Sequence, residues 1–163
     1  MYNWYTDPAV VLRDVDLMAL PEFDAKGDLP VAIHRATLDE VVARFGQSPA
    51  RRREVTSRLV KVLETARATG KLSRLIIYGS YVTAKTEPRD VDILLVLDDD
   101  FVVETLDHDQ QALFDHERAE HEMGASVFWV RPSLLLLQTL DEFIEGWQLK
   151  RDKTRRGIVE VIL

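Results

Sequence analysis

Apolar positions recur at helical spacing along residues 49–69, where Val55, Leu59, Val62, Leu63 and Ala66 fall on one stripe. Arg51, Arg52, Arg53, Arg58, Lys61, Glu64 and Arg67 line the remaining sides. The pattern predicts a helix over 49–69, capped by Ser48, with Pro49 in its first position and Gly70 at its stop. A shorter helix is predicted over 37–45. Thr37 and Glu40 have the spacing of a capping box there, and Gly46 follows. Residues 75–78 are a short apolar run bounded by turn signals, hence a buried strand. Residues 91–97 are apolar on both faces except at Asp92, which predicts a central strand. Further strands are predicted over 126–130 and 158–163, and helices over 109–123 and 133–148. Residues 1–30 show weak periodicity, broken by Pro8, Pro21, Gly27 and Pro30. They read as an arm, with one short helix near 8–19, ahead of a single domain over 31–163. Alternating strands and helices give an α/β or α+β class: a mixed β-sheet flanked by helices.

Composition agrees with one ordinary domain. The chain has 163 residues, 46% hydrophobic and 30% charged, enough to bury a core without metal or disulfide staples. It has no cysteine, which removes disulfides, zinc–thiolate sites and thiol nucleophiles together and fits a reducing compartment. Asp7, Asp14 and Asp16 in residues 1–19 are unlike the basic start and apolar run of a leader. The longest apolar runs, 91–97 and 134–137, are too short to span a bilayer. The expectation is a cytoplasmic protein with no membrane partner. The net charge of −7 opposes loose nucleic-acid binding. The charge is uneven, however: residues 150–156 carry five bases to one acid, and residues 98–122 are strongly acidic.

Chemistry concentrates between the first two strong strands. A strand ends in Gly79-Ser80; nine residues later Asp90-Val91-Asp92 opens the next. A glycine after a strand lets backbone approach a ligand closely. The adjacent serine offers a hydroxyl and an amide, which suit a phosphate. Asp90 and Asp92 lie two apart on a strand, so their side chains leave the same face. Two such carboxylates repel unless a cation lies between them. Mg²⁺ takes oxygen ligands and bridges carboxylates to phosphates, as in phosphoryl and nucleotidyl transfer. Each half of the motif is common alone. Asp92 inside an apolar strand is not, because an unpaired charge there is costly. Lys85 and Arg89 flank the loop and are candidates for phosphate contact.

Gly-Ser, nine residues, then Asp-x-Asp between two apolar strands resembles the nucleotidyltransferase superfamily typified by DNA polymerase beta. The short form is similar to the minimal nucleotidyltransferases of prokaryotic toxin–antitoxin and defence loci. Residues 29–34 and the closing basic segment resemble one uncharacterised bacterial branch. The motif covers residues 75–97, and a looser likeness runs over about 20–163. The resemblance implies a nucleotidyltransferase fold, with Gly79 and Ser80 on the triphosphate of a nucleotide, ATP first among them. It implies Asp90 and Asp92 binding Mg²⁺ and acting as the catalytic acids. The activity implied is transfer of a nucleoside monophosphate to a hydroxyl of protein, RNA or a small molecule. Such enzymes usually carry a third carboxylate on a neighbouring strand, where this chain has Ser126. Asp98 to Asp100 lie too far along the second strand, roughly 20 Å from Asp92. Glu122, Glu117 and Asp115 are the remaining options. A catalytically degenerate protein that binds a nucleotide or a partner is the alternative.

Other features carry less. Glu117 and His121 share a helical face, and His108 and His116 lie nearby, but a metal site wants a further ligand. The bases at 150–156 fit an RNA backbone or a solvated helix end. Trp129 and Trp147 read as core or interface. Leucines 134–137, with Leu140 and Phe143, exceed what one face of a helix can bury, which makes part of that run a candidate partner or self-association surface.

Overall fold

The computed structural model describes residues 20–163, so the helix expected near 8–19 lies outside the described residues. Five strands form one mixed sheet: β1 (Ile33–Ala36), β2 (Leu72–Tyr78), β3 (Val91–Leu97), β4 (Ala125–Val130) and β5 (Ile158–Val161). Their spatial order is β1-β5-β2-β3-β4. β5 runs parallel to β1 and antiparallel to β2, which is antiparallel to β3, which is parallel to β4. The helices are α1 (Leu38–Phe45), α2 (Ala50–Ala68), α3 (His108–Leu113), α4 (His116–Arg118) and α5 (Leu140–Gly146). The class is mixed α and β, as the alternation of patterns predicts.

Both faces of the sheet are covered, which is why β3 reads as apolar throughout. On one face Val55, Leu59, Val62, Leu63 and Ala66 of α2, all buried, join a core with Leu75, Ile77, Ile93 and Leu95. On the other, Ile76, Leu94, Val96 and Val130 pack with Ile144 of α5 and Ile158 of β5. Thr37 and Glu40 form the expected capping box at α1, with Gly46 beyond its end. Gly70, past the end of α2, takes the left-handed backbone (φ 68°) that glycine adopts without strain.

Several expectations are corrected. α2 begins at Ala50 with Pro49 itself as the cap and no side-chain cap bond, so Ser48 does not cap it. β2 starts at Leu72, because residues 72–74 still pair with β3 across an irregularity. β1 has too few residues to show a period and went unpredicted. The helix expected over 109–123 is broken. Phe114 turns into the core, Asp115 caps α4, and a π turn (Ala119–Met123) runs on to Gly124. The helix expected over 133–148 is reduced to α5, because Thr139 and Glu142 close a capping box that fixes its start at Leu140. Leucines 134–137 therefore lie outside it, with Leu137 99% exposed. Residues 20–30, read as arm, pack on the domain: Phe23 lies 6.1 Å from Phe45 and Leu29 is buried. Among the described residues no helix is long and apolar enough to cross a membrane.

Candidate functional site

β2 ends at Tyr78, a single 3-10 turn (Gly79–Val82) follows, and β3 opens at Val91. Cross-strand register sets Tyr78 opposite Asp92, and Asp92 beside Ser126 of β4. The three therefore form a row on one face of the sheet. Gly79 has φ 76°, and a Cβ there would overlap the Asp92 carboxylate. The motif glycine is thus required twice, by its backbone and by the acid lying against it. Gly79, Ser80, Lys85, Arg89, Asp90 and Asp92 all line one cleft of about 1000 Å³.

The opposite wall of that cleft is the basic segment. Lys150, Arg151 and Arg156 line it, with Trp147, Leu149 and Asp152, while Arg51, Arg58 and Glu120 complete the rim. A chain of net charge −7 has gathered seven bases and four acids here, so the local field opposes the global one. Asp92 is partly buried, and its carboxyl is pushed up to about 6. Burial is the main cause and the Asp90 charge the second; Arg156, Arg151 and the Ser126 hydroxyl pull the other way. Burial, then Asp92, likewise drives the Tyr78 phenol up. The acid pair is thus short of positive charge even with two guanidinium groups facing it.

The bases divide into tied and free. Arg51 donates to the carbonyls of Pro88 (3.2 Å) and Arg89 and pairs with Glu54 (2.8 Å). Arg58 donates to the carbonyls of Arg89 (3.3 Å) and Gly124 (3.2 Å). Both clamp the loop that leads into Asp90. Lys150 pairs with Asp28 at 2.8 Å, and Arg156 lies 3.7 Å from the same carboxylate. The side chains of Lys85, Arg89 and Arg151 are exposed and make no ion pair among the described residues.

Sequence reasoning missed two supports. Arg52 is buried, 6% exposed, and donates to the carbonyls of Phe45, Tyr81, Thr83 and Lys85, holding the Gly-Ser loop from beneath. Its position was a usable signal, since it lies three, four and seven residues before Val55, Thr56 and Leu59 on the buried stripe. Asp28 had no such signal. Its segment braces both walls. The Gly27 carbonyl accepts from Ala84 N–H (2.8 Å), Asp28 holds Lys150 and Arg156, and the Leu29 carbonyl accepts from Gly157 N–H (2.8 Å).

The alternatives for a third acid disperse. Glu122 pairs with Arg118 at 3.0 Å, Asp115 caps α4 and Glu117 is exposed. Asp99 accepts from the Ser133 amide, and Asp100 pairs with Lys71 at the far end of β3. Glu120, which the sequence pattern did not single out, is the acid that reaches the rim. The histidines do not converge. His108 lies by Asp109 at the surface, and the His116 Nδ1–H donates to the Val127 carbonyl (3.1 Å) while its ring lies 4.5 Å from Phe128. The break in the helix removes the shared face of Glu117 and His121. Among the described residues no group of three or more acids or histidines is placed to hold a metal. Two carboxylates do fit a cation that keeps most of its shell as water and phosphate, which is how Mg²⁺ is usually held.

No curated protein and no solved structure matches this chain. A family model does match, over residues 21–162, beginning with the segment that braces the cleft, and the chain belongs to that family, described as Family of unknown function (DUF6932).

Proposed function

We propose that this chain has a nucleotidyltransferase fold and transfers a nucleoside monophosphate, AMP from ATP, to an acceptor hydroxyl. One observation carries the reading. A partly buried acid pair, Asp90 and Asp92, lies against a left-handed Gly79 on the floor of a base-lined cleft. An unrelated α/β domain would have no use for a carboxylate that burial and a neighbouring acid disfavour this strongly.

The residues divide the work as follows. Gly79 and Ser80 present backbone amide and hydroxyl to the β- and γ-phosphates, and the exposed Lys85 ammonium adds charge at the same edge. Asp90 and Asp92 hold one Mg²⁺ jointly with the phosphates. When bound, the ion neutralises charge on the triphosphate and relieves the repulsion between the two acids. Arg51, Arg52 and Arg58 touch loop backbone and keep Asp90 and Ser80 in register; they are positioning residues. The acceptor oxygen attacks the α-phosphorus and a new P–O ester forms. The bond to the bridging oxygen breaks, pyrophosphate leaves, and the hydroxyl proton passes to water.

A second reading has its own support. Ser126, not an acid, stands in register beside Asp92, so the site offers ligands for one ion and not for a symmetric pair. A nucleotide-binding protein without turnover would look the same.

Calorimetric titration with ATP, with and without Mg²⁺, decides between them, with pyrophosphate followed in the same samples. Metal-dependent binding lost in the Asp90→Asn plus Asp92→Asn variant is the expected outcome, with pyrophosphate released by the wild type. Binding without release would favour the second reading. No binding of any nucleoside triphosphate would remove both.

A further inference from the structure

The two walls of the cleft differ in kind. The wall carrying Gly79, Ser80 and Lys85 meets the acid pair and is sufficient for a triphosphate. The wall of residues 147–156 has no part in that task, yet it is the more elaborately built. Trp147 is partly exposed, and its ring is steadied 4.6 Å from Tyr78 and 5.2 Å from Phe128. Beyond it the chain folds into a narrow hairpin. Leu149 bridges to Arg155, and the Lys150 amide donates to the Thr154 carbonyl at 2.8 Å. Asp28 anchors that hairpin through Lys150 and Arg156, leaving Arg151 exposed at the rim. The cleft volume of about 1000 Å³ is at the upper end for a single small ligand, so there is room for a second reactant beside the nucleotide.

A fixed aromatic ring beside a row of cations is the combination that holds single-stranded nucleic acid: bases stack on the ring and phosphates lie along the cations. A small neutral acceptor would need neither. A protein acceptor would have no flat base to set on Trp147. We propose that this wall binds the terminal nucleotides of a single-stranded nucleic acid, its end base stacked on Trp147 and the preceding phosphates on Arg151 and Arg156. The inference rests on the nucleotidyl-transfer reading for what happens next. The terminal hydroxyl faces Asp90 and Asp92, and its oxygen makes the new P–O ester as pyrophosphate leaves. The global charge of −7 then acts as a filter, since it repels duplexes from every surface except this cleft.

The test uses the full chain and labelled RNA and DNA of mixed sequence, about ten nucleotides long. Anisotropy is read between about 50 and 200 mM salt, alongside tryptophan fluorescence. Wild type is expected to bind with quenching. Arg151→Gln, at an exposed position, is expected to weaken binding about tenfold and to lower the salt slope by about one. Trp147→Phe keeps an aromatic ring and should bind while losing the quench; Trp147→Ala should lose roughly tenfold in affinity. Mg²⁺–ATP binding, measured on each variant, should stay within about twofold of wild type, which shows that the variants fold. Equal binding of RNA and DNA, or preference for one, supports the inference and identifies the source. It is overturned if wild type takes up Mg²⁺–ATP but neither oligonucleotide, which leaves a protein hydroxyl as the acceptor. It is also overturned if binding ignores Arg151→Gln and the quench survives Trp147→Phe. Oligonucleotide binding without ATP binding would instead remove the transfer reading and leave the wall's role standing.

Discussion

Asp92→Asn should make the metal-free protein more stable while abolishing its metal-dependent nucleotide binding. In the folded chain the Asp92 carboxyl is displaced from 3.8 to about 6, first by burial and then by Asp90. The folded state therefore holds this proton more tightly than the unfolded chain does. Below the unfolded value both states are protonated and no penalty exists. The penalty grows as pH rises through the window from 3.8 to about 6 and is complete above it. About two units at roughly 1.4 kcal/mol each set a ceiling of about 3 kcal/mol. Water reaches part of the side chain, which reduces the expected gain to about 1–2 kcal/mol at neutral pH. For a chain of this length that is a rise of about 3–6 °C in Tm. The assay is urea unfolding in the presence of a chelator at several pH values from about 5 to 8, repeated in millimolar Mg²⁺. The advantage of Asp92→Asn should shrink toward the acid end. Mg²⁺ should narrow or reverse it, because the ion binds only the folded wild type. A variant less stable than wild type at pH 8 without metal would refute the reasoning. It would mean that Arg151, Arg156 and Ser126 already satisfy the carboxylate, and that no cation is wanted there.

Two further substitutions test how the loop is held. Gly79→Ala forces a side chain into the left-handed region and onto the Asp92 carboxylate; it should cost about 1–3 kcal/mol in urea unfolding and remove nucleotide binding, and unchanged binding would disconnect the glycine from the site. Arg52→Met keeps the length of the stem but strands four carbonyls, those of Phe45, Tyr81, Thr83 and Lys85. A loss of about 2–4 kcal/mol is expected, with faster amide exchange in residues 79–85, and uniform exchange across the chain would argue against a local brace.

What could be read from the sequence divides along a physical line. β3, α1 and α2 declare themselves because their order is periodic and local: a stripe, a capping box, an apolar run. Gly79, Ser80, Asp90 and Asp92 were legible for the same reason, since one turn between two strands joins them. The misreadings fall where tertiary contacts override local pattern. Residues 109–123 look like one helix until Phe114 is pulled into the core beside Phe101, 4.7 Å away, and Trp129, 5.9 Å away. Residues 133–148 look like one helix until Thr139 caps its last two turns. The second wall of the cleft could not be read at all. The contact of Asp28 with Lys150 spans 122 positions in the chain, and nothing local marks an acid that will brace a basic hairpin. Yet the sequence held a consequence of that wall. Five bases clustered in a chain of net −7 would repel one another along an unsupported segment. Their proximity requires a counter-charge within the fold and a ligand outside it. Asp28 supplies the first, and the acid pair across the cleft shares in it. The exposed Arg151, Arg89 and Lys85 are what remain to meet phosphate.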